Sequence, residues 1–145
     1  MGKLSIEGIT HWAIPVNDME ESVKFYGDIL GLENRGQLGR SNMTCFGFGN
    51  TNILLCERKV AVDDIAERDD GVHYSFNVSP EGLYEACKLF QREQVPVVDL
   101  HYREGGHFPG RELYFLDPSG NRLELRDVSW EKGMPEPSFE EIVRS

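Results

Sequence analysis

The stretch that decides the fold is GGHFPGRELYFLDPSGNRLELR, residues 105–126. Its ELYFL segment alternates like a β-strand. The DPSGN that follows has turn chemistry, because proline presets φ and glycine or asparagine tolerates positive φ. In RLELR the leucines point one way and the charged residues the other, so the stretch predicts a β-hairpin. Glu124 lies between leucines, where a charge is costly unless paired, and we expect a partner for it.

Length, charge and cysteine content limit the class of protein. A chain of 145 residues can form one domain with a core or two small modules. The net charge of −10 argues against nucleic acid or an anionic membrane as a partner, because both require basic patches. Cys45, Cys56 and Cys87 lie too far apart to indicate a disulfide framework or a thiolate zinc site. With no signal-peptide pattern and no long apolar run, we expect a cytoplasmic protein.

The chain contains an internal repeat. HWAIPVND at 11–18 and HYSFNVSP at 73–80 both begin with a histidine, followed by an aromatic residue and an alternating run. In each copy the histidine, His11 or His73, lies on the face opposite the apolar residues, which is typical of a strand with one packed face. A helical pattern follows each strand, and strand-like runs follow each helix. The sequence therefore predicts two copies of β-α-β-β-β.

Apolar spacing and capping residues predict the helices and the later strands. Asn17 or Asp18 is the expected N-cap of the first helix, and Ser79-Pro80 begins the second. The core-facing helical positions are Met19, Val23, Tyr26 and Leu30 in the first copy and Leu83, Cys87 and Phe90 in the second. The predicted later strands are 44–48, 53–57, 95–100, 113–116 and 122–126.

These elements predict an α+β fold in which two paired βαβββ modules form a cup-shaped mixed sheet, with a homodimer as the expected assembly. We expect a single domain at 4–127, with module 1 at about 4–60 and module 2 at about 71–127. An acidic connector, residues 62–71, is predicted to form a turn of helix between the modules.

The tail, residues 128–145, differs in composition from the body of the chain. Its prolines oppose regular structure, but Ser138 and Glu141 predict the start of a short terminal helix. The tail then either lies over the body or a neighbouring subunit, or frays.

The repeat also predicts a metal site. Aligning Asn52 with Asn121 places Leu55 opposite Glu124, so only the second copy contributes a carboxylate. His11, His73 and Glu124 would form a facial triad that leaves positions open on a divalent metal. The alternatives are that the histidines are ordinary strand residues and that Glu124 pairs with an arginine.

The same residues carry a resemblance to a known family. HWAIPVND from His11, FYGDILGLE from Phe25 to Glu33, GVHYSF and YFLDPSGNRLEL resemble motifs of the vicinal oxygen chelate superfamily, which includes glyoxalase I, fosfomycin-resistance proteins, methylmalonyl-CoA epimerase and type I extradiol dioxygenases. The resemblance implies a small-molecule substrate and one divalent metal per chain, Fe(II) or Mn(II) before Zn(II) or Ni(II). It implies His11, His73 and Glu124 as ligands, within one chain or shared between two.

One pattern is similar to the extradiol signature. Gly105-x-His107, Leu113-Tyr114 and D-P-x-G precede Glu124 at matching places. The resemblance implies that His107 and Tyr114 act on substrate and oxygen, since ring cleavage needs a proton acceptor beside the metal. We therefore expect an extradiol-type ring-cleavage dioxygenase for a small catechol-like molecule.

The alternatives differ at particular residues. Glyoxalase I and the epimerases resemble the chain but use a fourth protein ligand in the first module, where Leu55 stands here and Glu57 is the nearest candidate. Fosfomycin-type thiol transferases share the three ligands, but Ala13 replaces their threonine, and their basic phosphonate-binding residues are not matched by VSWEKG. Non-catalytic bleomycin-binding proteins are a further alternative, although they usually lack the triad.

Aromatic and arginine side chains suggest a small aromatic or oxygenated substrate, with an anionic group as one possibility. The alternative is that the aromatic residues are core and the arginines are solvated. The candidate substrate-binding residues are Arg111, Phe46 and Phe48.

Overall fold

The structure is a computed structural model that describes residues 2–60 and 71–145. The chain divides into two compact units, unit 1 (Met1–Val62) and unit 2 (Asp63–Ser145), each described by itself. Most of the predicted acidic connector falls on residues 61–70, outside the described residues. All three cysteines are free thiols. Among the described residues, no helix combines the length and the apolar character needed to cross a membrane.

Unit 1 is a helix and a four-stranded mixed sheet, in the predicted β-α-β-β-β order. The sheet order is β1-β4-β3-β2, with β1 parallel to β4 and the other neighbours antiparallel. Its elements are β1 (His11–Val16), α1 (Met19–Lys24), a π-helical turn (Phe25–Ile29), β2 (Glu33–Gln37), β3 (Met43–Phe48) and β4 (Thr51–Glu57).

The helix of unit 1 differs from the prediction in the face that it buries. Asp18 is the N-cap, as expected, and its carboxylate accepts from the Glu21 amide. Tyr26 is buried as predicted, but Ser22 and Phe25 are buried with it, whereas the other predicted positions, Met19, Val23 and Leu30, are only half-buried. The π-helical turn widens the helix after Lys24, which changes the angular spacing that the regular stripe assumed.

Unit 2 repeats the same order and adds the tail. The sheet order is β5-β8-β7-β6, with β5 parallel to β8 and the other neighbours antiparallel. The two mixed sheets with few helices make the fold α+β, as predicted. The elements are β5 (Tyr74–Asn77), α2 (Pro80–Arg92), β6 (Val97–Arg103), β7 (Gly110–Leu116), β8 (Arg122–Asp127) and α3 (Phe139–Arg144).

The hairpin predicted from residues 105–126 is present as β7 and β8. Asp117 fixes the turn, because its Oδ1 accepts from the amides of Ser119 at 2.9 Å and Asn121 at 2.8 Å. The amide of Gly120 also donates to the Asp117 carbonyl at 3.0 Å. The turn chemistry read from the sequence therefore corresponds to specific hydrogen bonds.

Alternation along this hairpin separates two faces of the unit 2 sheet. Leu113, Phe115 and Leu123 are fully buried on the face towards α2. There the ring centroids of Phe115 and Phe90 lie 4.5 Å apart. The alternate positions carry charged and hydroxyl groups. We call this second surface, formed by Glu112, Tyr114, Glu124 and Arg126, the polar face of unit 2.

The tail packs on unit 2. Trp130 and Ile142 are buried, and the Tyr102 hydroxyl donates to the Pro137 carbonyl at 2.6 Å. Ser138 caps α3 by accepting from the Glu141 amide, so the predicted terminal helix is present.

Two glycines give a matched prediction about backbone strain. At Gly110, φ is +138°, and an added Cβ would lie 2.6 Å from the Asp127 carbonyl oxygen, which is backbone. At Gly47 an added Cβ would instead meet the movable guanidinium of Arg35. We expect Gly110→Ala to lower the free energy of unfolding by about 1–3 kcal/mol and Gly47→Ala by less. Urea denaturation of both variants measures this, and an equal or smaller loss for Gly110→Ala would contradict it.

Candidate metal-binding site

The strand register corrects the predicted equivalence between the two copies. Ser75 of β5 pairs with Glu124, and the matching residue of β1, Ala13, pairs with Leu54. Leu54, not Leu55, is therefore the unit 1 counterpart of Glu124, and the alignment of Asn52 with Asn121 was wrong by one residue.

The cause of this error is the turn between the last two strands. In unit 1, Phe48 pairs with Thr51, so two residues form the turn; in unit 2, Leu116 pairs with Arg122, so five do. Asn52 lies in a strand, whereas the asparagine aligned with it lies in the turn.

Glu57 is not placed to be a fourth metal ligand. It shares the face of Ile53 and Leu55, opposite Leu54, and its Oε2 accepts from the Met19 amide at 2.6 Å. A carboxylate there satisfies a free amide at the start of α1 and favours the helix dipole. The structure therefore gives Glu57 a helix-stabilising contact.

In unit 2, His73 and Glu124 lie together, as a metal site requires. The His73 Nε2 lies 3.6 Å from the Glu124 Oε1. The other ring nitrogen, Nδ1, lies 2.7 Å from the Gly71 carbonyl oxygen. Because a carbonyl only accepts, Nδ1 carries the proton, and in the neutral ring Nε2 presents its lone pair towards the carboxylate. Metal-binding histidines are usually held in this way.

Glu124 is buried but keeps its charge. Burial would raise the pKa of this carboxyl, but hydrogen bonds with Glu112, Ser75 and Tyr114 and the positive charge of Arg126 outweigh it and lower the pKa below the ordinary value. The Arg126 Nη1 lies 3.3 Å from the Glu124 Oε2. One oxygen thus faces arginine, and the other faces His73.

Glu112 is a second buried carboxylate on the polar face, and it was not among the predicted site residues. Its Oε1 accepts from the Arg103 Nε at 2.9 Å, and its Oε2 accepts from Arg126 and, at 3.2 Å, from the Tyr114 hydroxyl. Burial, a hydrogen bond with Glu124 and the Glu124 charge raise the pKa of Glu112. Like Glu124, Glu112 is a carboxylate inside a strand, and this signal in the sequence could have identified it.

Of the two predicted catalytic residues, Tyr114 lies beside the proposed ligands. Its ring packs edge-on against His73 with centroids 5.8 Å apart. Burial and the neighbouring Glu124 and Glu112 raise the pKa of Tyr114 to about 12, so it keeps its proton at neutral pH. His107 is exposed in the segment between β6 and β7, with its ring 6.3 Å from that of Phe108.

The three predicted substrate-binding residues lie in different surroundings. Arg111 lies on the face of the sheet opposite the polar face, where its Nε donates to the Asp127 Oδ2 at 3.0 Å and its guanidinium covers the Tyr84 ring. Phe46 is buried in the core of unit 1, while Phe48 is largely exposed. Arg111 and Phe46 are thus both buried inside their own units.

The donor set of unit 2 suits a divalent metal but does not complete a site. Imidazole nitrogen with carboxylate oxygen is a common donor combination for Mn, Fe, Zn and Ni. Within residues 2–60 and 71–145, no three His, Cys, Asp or Glu side chains form a metal-binding group. Unit 2 supplies two donors, and the third predicted ligand, His11, begins β1 of unit 1.

Comparisons with known proteins agree with this architecture. The chain is 26% identical over 121 residues to the glutathione transferase FosA of Serratia marcescens, covering 83% of this chain and 80% of that protein. It is 26% identical over 126 residues to the metallothiol transferase FosB of Lysinibacillus sphaericus, covering 84% and 83%.

A solved structure shares the fold. It is a variant of the fosfomycin resistance protein FosX of Listeria monocytogenes, complexed with Mn(II) and 1S,2S-dihydroxypropylphosphonic acid. Its TM-score is 0.67 at 21% identity, with 84% of this chain and 90% of that chain covered. The family model for the Glyoxalase/Bleomycin resistance protein/Dioxygenase superfamily matches residues 8–125. The chain belongs to this superfamily.

Proposed function

We propose that this protein is a metal-dependent transferase that adds a thiol to a small, oxygenated, anionic molecule of the fosfomycin type. The observation that carries the proposal is the pairing of a buried, ionised Glu124 with a tautomer-fixed His73 at 3.6 Å. The transferases FosA and FosB support the reaction class.

The proposed ligands are His11, His73 and Glu124. Mn(II) is favoured because the FosX structure contains it, and Fe(II), Zn(II) or Ni(II) remain alternatives for the test. When bound, a divalent ion would polarise a substrate oxygen as a Lewis acid. Glu124 supplies the anionic ligand, and the Gly71 carbonyl orients His73.

Electrostatics on unit 2 favour an anionic substrate. Arg103 and Arg126 balance the two carboxylates, Glu112 and Glu124, and the raised pKa of Glu112 reduces the negative charge further. A divalent cation added to this cluster would make its net charge positive. Arg103 is the half-exposed member, with 43% of its side chain accessible, so it is the arginine that can reach a substrate anion.

The proposed reaction opens an epoxide. The thiol sulfur forms a bond to an epoxide carbon, the carbon–oxygen bond breaks, and the oxygen takes the proton that the thiol released. Tyr114 holds its own proton with a pKa of about 12, so it can donate a hydrogen bond to that oxygen but cannot serve as the base at neutral pH.

The dioxygenase expectation receives no support from the relatives, which include transferases, a fosfomycin resistance protein and a methylmalonyl-CoA epimerase. Oxygen chemistry and an oxidoreductase class are therefore not part of the proposal. The homodimer and the cytoplasmic location remain predictions, and sedimentation of the purified protein tests the first of them.

The experiment incubates the protein with each divalent metal, fosfomycin and glutathione, cysteine or no thiol, and follows the phosphonate by phosphorus NMR. We expect a metal-dependent thiol adduct that Glu124→Gln abolishes and Glu85→Gln, a change at an exposed site on α2, preserves. In parallel, an oxygen electrode measures oxygen uptake when catechols are added to Fe(II)-loaded protein. Oxygen uptake without any fosfomycin adduct would overturn the proposal and restore the dioxygenase interpretation.

A further inference from the structure

Arg126 lies on the polar face, and its guanidinium contacts four different residues. Its side chain is only 9% exposed. The Nη1 donates to the Glu112 Oε2 and lies 3.3 Å from the Glu124 Oε2. The Nη2 donates to the backbone carbonyls of Phe108 at 2.6 Å and Pro109 at 3.1 Å. One guanidinium thus joins two buried carboxylates to the segment before β7.

The contacts to Phe108 concern the side chain as well as the backbone. The guanidinium carbon of Arg126 lies 5.5 Å from the centroid of the Phe108 ring, a cation–π distance, although most of that ring is exposed. Residues 104–109 have no helix or strand of their own, and they include His107. Arg126 therefore ties Phe108 and Pro109 to the sheet by two hydrogen bonds and a ring contact.

Arginine is suited to this position because its planar fork presents several donors in fixed directions. Lysine could supply the charge to the carboxylates but could not hold both carboxylates and both carbonyls together. Burial also requires the guanidinium to be paired, which the two glutamates achieve.

We propose that Arg126 is a positioning residue that fixes the Glu124 carboxylate for metal binding and couples it to the conformation of residues 104–109. This inference rests on the proposed function. Arg126 holds the Glu124 Oε2, which leaves Oε1 directed towards His73. The same guanidinium also donates to the carbonyls of Phe108 and Pro109. Glu124 and residues 104–109 are therefore both held by Arg126.

The test uses Arg126→Gln and Arg126→Lys, with Arg111→Gln and Arg111→Lys as matched controls. Arg111 is also a buried, paired arginine of this sheet, but on the opposite face. Two quantities are measured: Mn(II) affinity by competition with an indicator dye, and hydrogen exchange of residues 104–109. Circular dichroism confirms that each variant is folded.

We expect Arg126→Gln to weaken Mn(II) binding by about 10–100-fold, the usual effect of removing a group that orients a ligand. We also expect faster exchange at residues 104–109 in both Arg126 variants, with neither change in the Arg111 controls. Mn(II) affinity within twofold of wild type in folded Arg126→Gln, or unchanged exchange in both Arg126 variants, would overturn the inference. If Arg126→Gln does not fold, hydrogen exchange of residues 104–109 in Arg126→Lys decides: faster exchange supports the inference, and unchanged exchange overturns it.

The outcomes separate this inference from the proposed function. Wild-type protein that binds no divalent metal would contradict the proposed function. Exchange at residues 104–109 in metal-free Arg126→Gln would then still decide whether Arg126 anchors the segment. Normal metal binding with unchanged exchange would contradict only the positioning role.

Discussion

Replacing Asp127 with asparagine should lower the free energy of unfolding by about 3–5 kcal/mol, because it leaves a buried guanidinium without its counter-charge. Arg111 and Asp127 have only 7% and 1% of their side chains exposed. The Asp127 Oδ1 also accepts from the Ser129 amide at 2.9 Å and hydroxyl at 2.6 Å. The substitution therefore disturbs both the ion pair and the start of the tail.

The effect should depend on pH in a defined direction. Burial would raise the pKa of Asp127, but hydrogen bonds from Ser129 and Arg111 outweigh it and lower the pKa below its usual value. A depressed folded-state pKa contributes stability above the unfolded pKa of about 3.9, and this contribution is lost as the pH falls towards the folded value. The gap between wild type and Asp127→Asn should be constant from neutral pH to about pH 5 and narrow below about pH 4.

Urea denaturation at a series of pH values measures this gap. Asp99→Asn is the control, since Asp99 is an exposed carboxylate on β6 and its removal should change stability by less than about 0.5 kcal/mol. A difference in free energy of unfolding between wild type and Asp127→Asn below about 1 kcal/mol at neutral pH would contradict a stabilising Arg111–Asp127 pair. A difference that widens in acid would contradict it as well.

Glu124→Gln should weaken divalent-metal binding by more than about 100-fold, since loss of a ligand should exceed the 10–100-fold effect of losing a group that orients one. The amide keeps the shape of the side chain but removes the negative charge that a hard cation requires. The fold should persist, because Arg126 retains Glu112 as a partner. Equilibrium titration with Mn(II) and Zn(II) against a competing indicator gives the affinities.

Glu112→Gln is the matched control for that substitution. Glu112 is equally buried, lies on the same face and shares Arg126 with Glu124. Because Glu112 is a neighbour of the proposed ligand and not a ligand itself, Glu112→Gln should weaken metal binding by about 100-fold at most. If Glu112→Gln weakens metal binding more than Glu124→Gln, the ligand assignment within this pair is reversed.

Local signals in the sequence predicted much of the fold. The turn from Asp117 to Asn121, the Ser79 cap of α2 and the Ser138 cap of α3 each arise from hydrogen bonds that span four residues or fewer. Such contacts depend on neighbours in the chain, so residue type and spacing reveal them.

Errors arose where the outcome depends on strand register. The one-residue slip between Leu54 and Leu55 followed from turns of different length, and a slip of one residue exchanges the two faces of a strand. The slip made Glu57 a candidate ligand. In the structure its carboxylate instead accepts a hydrogen bond from the Met19 amide at the start of α1.

Long-range pairing explains the remaining differences. Arg111 precedes Glu112 by one residue and therefore points to the other face, where Asp127, 16 residues later, is its partner. Arg126 reaches back 14 residues to Glu112 and 18 to Phe108. No periodicity in the sequence specifies these contacts, because each needs the β7–β8 register and the path of residues 104–109.

We propose that a divalent metal binds to His11, His73 and Glu124, and pulsed electron paramagnetic resonance of Mn(II)-loaded protein tests this ligand set. With nitrogen-15-labelled histidine, the coupling reports which ring nitrogens bind the metal. We predict two coordinated histidines in the wild type and one in each of His11→Ala and His73→Ala, with His107→Ala unchanged. A wild-type spectrum without histidine coupling, or one that neither His11→Ala nor His73→Ala alters, would show that these histidines are not the metal ligands.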